Sequence, residues 1–138
     1  MPLQVPINNG GVCATHWWSQ TLDAVTVNIP VHKGTRAKQL QIDIQPAHVS
    51  VRYKNSRSEP EPDSLVIMGG DTFAPVRAAD AIWTLDPETS LVMLSLDKLK
   101  PDWWESVFVG GPRIDTSLVD STQVWYQDRM MCDFRAIC

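Results

Sequence analysis

The stretch Leu40-Gln41-Ile42-Asp43-Ile44-Gln45-Pro46-Ala47-His48-Val49-Ser50-Val51-Arg52-Tyr53 reads "LQIDIQPAHVSVRY", and its alternation decides the fold. Leu40, Ile42 and Ile44 fall on one side against Gln41, Asp43 and Gln45. After Pro46-Ala47 the pattern resumes, with Val49, Val51 and Tyr53 against His48, Ser50 and Arg52. Successive side chains of a strand point to opposite faces, so a strict period of two marks two half-buried strands. The short proline-containing break between them predicts an antiparallel pair.

The same period appears on either side. Upstream, Val25, Val27, Ile29 and Val31 alternate with Thr26, Asn28 and Pro30, and His32-Lys33-Gly34-Thr35-Arg36 forms a polar loop whose glycine can take positive φ. Downstream, Leu65 to Met68 predicts a strand, Gly69-Gly70-Asp71 a hairpin turn and Thr72-Phe73-Ala74 its return. Ile82 to Leu85 and Leu91 to Leu96 flank Asp86-Pro87-Glu88-Thr89, a turn with proline where its fixed φ is favourable. Trp83, on an alternating strand, is assigned to the core. Asn55 to Ser64, rich in Ser, Glu and Pro, has no apolar face to bury and is expected to be a surface loop. About seven short strands with turns between them indicate an all-β fold, a seven-stranded antiparallel sandwich.

Beyond Pro101 the pattern changes. Asp102 is placed as the N-cap of a short helical turn carrying Trp103, Trp104, Val107 and Phe108, ended by Gly110-Gly111-Pro112. A second helical pattern runs from about Asp120 to Phe134, with Val124, Tyr126 or Gln127, Met131 and Phe134 spaced for one face. The expected organisation is a tail over 1–14, the sandwich over 15–112 and a helical extension over 113–138.

Composition bounds the function. A chain of 138 residues, 43% hydrophobic, suits one domain. Its net charge of -4, with Lys and Arg scattered, gives no general attraction to nucleic acid or anionic membranes. No apolar run is long enough to span a bilayer, and Met1 to Pro6 lacks the regions of a signal peptide. A cytoplasmic location is the expectation. Cys13, Cys132 and Cys138 form no C-x-x-C unit and are expected as reduced thiols. His16, His32 and His48 lack partners at ligand spacing, so neither a metal nor a cofactor is expected. Gly10-Gly11 and Gly69-Gly70 open no phosphate-loop pattern and are read as turn glycines, and neither a nucleophile elbow nor a Cys/His signature suggests an enzyme.

The order of Trp17-Trp18-Ser19-Gln20-Thr21-Leu22, the pair Gln41 to Gln45 with His48 to Val51, Trp83-Thr84-Leu85 and Asp102-Trp103-Trp104-Glu105-Ser106 resembles the CS domain of the nuclear distribution protein C (NudC) family. The resemblance covers roughly Thr15 to Asp120. It implies a sandwich similar to the co-chaperones of heat-shock protein 90 and to the α-crystallin domain. It also implies a non-enzymatic chaperone or co-chaperone, binding client proteins or heat-shock protein 90 and linked to dynein-dependent nuclear movement. The stretch Val124 to Met131 looks like the helix that follows the domain in NudC itself.

Adjacent indoles cannot share one environment. Trp104 is assigned to closing the open end of the sandwich, because burying a large indole removes much apolar area from water. Trp103, beside Lys98, Lys100 and Glu105, then resembles an interface anchor. Trp17 and Trp18 divide in the same way, one buried and one at the edge. The protein-binding candidates are thus Trp103, Trp104, Lys98, Lys100, Arg113 and Trp18, with Lys98, Lys100 and Arg113 as a small basic edge, in a monomer or weak dimer. The alternative is a small heat-shock-type chaperone assembling into large oligomers, which the absence of an Ile-x-Ile tail anchor disfavours.

Overall fold

The computed structural model describes residues 3–54 and 66–120. Seven strands run in chain order: β1 (Trp17–Gln20), β2 (Ala24–Pro30), β3 (Leu40–Gln45), β4 (His48–Tyr53), β5 (Val66–Asp71), β6 (Ile82–Asp86) and β7 (Leu91–Asp97). They form a four-stranded sheet, β1-β2-β7-β6, and a three-stranded sheet, β3-β4-β5, with every pairing antiparallel. The all-β sandwich read from the alternation is the architecture found.

Register follows the hydrophobic period, since a slip of one residue would turn every apolar side chain of a strand to water. Val25, Val27 and Ile29 of β2 lie opposite Leu96, Leu94 and Val92 of β7, and all six are fully buried. Leu40, Val49, Val51 and Met68 supply the facing layer of the core. Each such burial contributes about 1.5–3 kcal/mol. β3 and β4 meet through the Pro46-Ala47 turn with Gln45 opposite His48, as the opening stretch predicts. Between β6 and β7, the Asp86 carboxylate accepts from the Glu88 amide and Ser90 takes φ 56°. Gly34 takes φ 85° in the loop after β2. Trp83 is half-buried against the core.

Two turn assignments are corrected. Gly69 and Gly70 lie within β5, opposite Ser50 and Val49 of β4, and the chain does not fold back at Asp71. Glycine is needed there for close approach. A Cβ at Gly69 would sit 3.1 Å from the Val49 carbonyl oxygen, and one at Gly70 would sit 3.3 Å from the Phe108 ring. Thr72 pairs with Phe108 instead, and the Phe73 amide donates to the Val107 carbonyl.

At the N-terminus the turn belongs to Asn8 and Asn9, at φ 52° and 64°, between Ile7 and Gly10. Asparagine tolerates the left-handed region, and two such residues in succession suit a tight hairpin. Gly10 and Gly11 are close-approach residues, for a Cβ on Gly10 would fall 1.8 Å from the Trp18 carbonyl oxygen. Gly11 exchanges backbone hydrogen bonds with Trp18, and the Gln4 amide donates to the Arg113 carbonyl. The N-terminal residues are thereby joined to the sandwich.

Candidate functional site

The expected helical turn after Asp102 is absent: 102–108 is an irregular segment across one end of the sandwich, with bends at Glu105 and Val107. Its backbone groups find partners far away in sequence rather than within a helix. Asp102 N donates to Leu22 O, Ile114 N to Glu105 O, and Phe73 N to Val107 O. Asp102 does accept a hydrogen bond through Oδ1, but from the adjacent Trp103 amide at 2.8 Å rather than from the second or third helical residue that a cap would serve.

Gln20 organises this segment. Its side-chain amide clamps one residue at two points: Oε1 accepts from Trp104 N at 2.9 Å, and Nε2 donates to Trp104 O at 2.8 Å. The remaining capacity is also used, since Nε2 donates to Asn9 O and Oε1 accepts from Lys98 Nζ at 2.7 Å. Held in this way, Trp104 has no exposed surface, and its ring packs at 42° to Phe73 with centroids 5.9 Å apart. Its indole Nε1 is buried without a hydrogen-bond partner. Trp103 is half-buried. The structure therefore divides the pair as its adjacency requires.

Lys98 is corrected from surface cation to interior group. It is 4% exposed, and its ammonium donates to Gln20 Oε1, Thr21 O and Asp102 O. An ammonium has three donors, and these three acceptors account for all of them. Nζ also lies 5.4 Å from the Trp103 ring centroid and 5.9 Å from that of Trp104, within cation–π range. Burial lowers its pKa to about 8, a shift that Asp102 and Asp23 partly oppose. Sequence carried the signal for this placement: Lys98 continues the inward parity of Val92, Leu94 and Leu96, as Gln20 continues that of Trp18. The importance of Gln20 was missed because nothing local in a glutamine reveals a partner 84 residues away.

The other candidates separate. Lys100 is exposed, and Arg113 is exposed with its guanidinium 3.7 Å from Glu105. No continuous basic edge survives once Lys98 is removed from it. Trp18 is 2% exposed and Trp17 40%, so Trp17 is the member of that pair at the surface. His16 is buried with Nδ1 3.0 Å from Thr15 Oγ1 and its ring edge-on to Phe108; desolvation lowers its pKa. Among the described residues, no group of three or more His, Cys, Asp or Glu could hold a metal ion. The helical pattern over 120–134 lies outside the described residues from residue 121 onward, as does the Asn55 to Ser64 loop.

Strand order, layer composition and the tryptophan segment closing one end define an antiparallel sandwich of the CS-domain class. The family model described as the CS domain matches residues 14–98. NudC domain-containing protein 2 of Rattus norvegicus is 31% identical over 123 residues, covering 86% of this chain and 67% of that protein. The nuclear movement protein nudc of Schizosaccharomyces pombe is 29% identical over 107 residues, covering 78% of this chain and 61% of that protein. The solution structure of the CS domain of human KIAA1068 protein superposes with a TM-score of 0.66 at 26% identity, over 82% of this chain and 85% of that one. The chain belongs to the CS-domain family, in its NudC branch. It spans from 32% to 67% of the length of the curated relatives named NudC or NudC domain-containing.

Proposed function

We propose that the chain is a cytoplasmic, non-enzymatic protein-interaction module that acts as a NudC-like chaperone or co-chaperone. It binds client proteins or heat-shock protein 90 by reversible burial of apolar surface, in processes that include dynein-linked nuclear movement. The observation that carries this reading is the fixed division of the tryptophan pair. The Gln20 clamp commits Trp104 to the interior, leaving Trp103 half-buried at the end of the sandwich under the Lys98 ammonium. A large aromatic held at a defined place and only partly covered is suited to anchoring a contact, because little further ordering is needed on binding. Membership of a family whose relatives include nuclear movement proteins supports the same reading.

The test is suppression of thermal aggregation of a model client by wild type and Trp103→Ala, with heat-shock protein 90 and dynein-pathway proteins offered in parallel pull-downs. Suppression should fall several-fold in the variant while its melting temperature stays within a few degrees. Equal activity in both proteins would remove Trp103 from the binding surface.

A further inference from the structure

The two ends of the sandwich differ in charge. β2 starts at Ala24, beside the tryptophan segment through the bond from Asp102 N to Leu22 O, and ends at Pro30. Its seven residues put roughly 20 Å between those ends. The far end is basic. No Asp or Glu occurs between Asp23 and Asp43, and the stretch that leaves β2 carries Lys33, Arg36 and Lys38. The fold adds a fourth cation, because Lys54 N at the end of β4 donates to Gln39 O at 2.8 Å.

Hydrogen bonds fix the backbone that carries these charges. Thr35 N donates to His32 O, Arg36 N to Gln39 Oε1 at 2.8 Å, and His32 N to Tyr53 Oη at 2.9 Å. The His32 ring stacks on that of Tyr53, with centroids 4.9 Å apart and planes at 22°. Lys33, Arg36, Lys38 and Lys54 are all exposed, and among the described residues none of the four has an ion pair. The bond from Val31 N to Ser90 O brings the turn holding Asp86 and Glu88 alongside, so the patch has an acidic border; Asp43 is engaged by Arg52.

This arrangement discriminates among anionic partners. Four like charges at one end of a chain of net charge -4 draw an acidic partner to that end and turn it away from the rest. A nucleic-acid backbone calls for a longer run of cations and would meet Asp86 and Glu88 at the border. A membrane surface would need apolar residues to insert, and no large apolar side chain from 31 to 54 is exposed.

We infer that Lys33, Arg36, Lys38 and Lys54, around the His32–Tyr53 stack, form a docking surface for a short Asp- and Glu-rich segment of another protein. It is a second contact site, at the opposite end of the sandwich from Trp103, and does not rest on the role given to that residue.

Fluorescence anisotropy of a labelled Asp/Glu-rich peptide, titrated with the full-length chain, tests this. Wild type should bind, and more weakly as salt is raised, because the contact joins solvated charges. Lys33→Glu and Lys38→Glu together should weaken binding about tenfold or more. Either one alone should weaken it more than Arg77→Glu, an equal change of charge at an exposed position beside the Val76–Lys98 bridge, near the other end. Melting temperatures check that the variants fold, and Lys→Gln replaces Lys→Glu where they fall. Trp103→Ala should bind the peptide as wild type does. No binding by wild type, a loss in Arg77→Glu as large as in Lys38→Glu, or a loss in Trp103→Ala overturns the inference. Tighter binding of a single-stranded oligonucleotide, or of phosphatidylserine vesicles, than of the peptide overturns it in favour of that partner.

Discussion

The pairs Trp17-Trp18 and Trp103-Trp104 both put one indole in the interior and leave its neighbour closer to water, but different forces do the sorting. Trp17 and Trp18 sit on β1, where the ladder to β2 alternates faces and the division follows from the period of the strand. Trp103 and Trp104 lie on an irregular segment with no such period, and there one glutamine side chain fixes the backbone of Trp104. The first arrangement is supported by every rung of the ladder. The second is concentrated in the Gln20 amide and the Lys98 ammonium that it shares, so single substitutions should separate the two pairs.

The largest effect is expected from Gln20→Ala. It leaves the Trp104 amide and carbonyl without their clamp and takes one acceptor from a buried cation, at a cost of about 3–5 kcal/mol. Urea unfolding measures the loss, and indole NMR signals locate it: Trp103 and Trp104 should shift strongly, and Trp17 and Trp18 little. Equal shifts in both pairs would mean that the clamp is not what distinguishes them.

Lys98→Met sharpens the comparison through pH. The unfolded lysine keeps its proton to its ordinary value of 10.5, whereas the folded one gives it up near 8. Between those values the unfolded state binds more protons, so raising the pH favours the folded state. Wild type should gain stability relative to Lys98→Met between pH 8 and 10.5, and parallel curves would show that the ammonium is not desolvated. The smallest effect is expected for Trp17→Ser, about 1 kcal/mol or less, because the ladder persists without that side chain. A loss as large as that of Gln20→Ala would erase the contrast between ladder and clamp.

How legible each region was in the sequence obeys the same division. β2, β3, β4, β6 and β7 could be read directly, since alternation and local turns specify them. The tryptophan segment reads as helical in sequence because Pro101 and Asp102 resemble a helix start, while the bonds that hold it out of a helix come from Leu22, Gln20, Ile114 and Phe73. Gly69-Gly70 resembled a turn because sequence does not show what lies opposite a glycine, here the backbone of β4 and the Phe108 ring. Lys98 was legible by parity, but its charge argued for the surface, and only its three acceptors resolve that conflict.

The close approach of Gly10 to Trp18 bears on how the molecule meets other chains. An open strand edge is a template on which a foreign strand can pair, and proteins guard such edges. Because the hairpin around Asn8 and Asn9 takes up the Trp18 main-chain groups, β1 presents a guarded border to its neighbours. A Cβ at Gly10 would push that guard away, and the first harm from such a substitution would be self-association along β1 at high concentration.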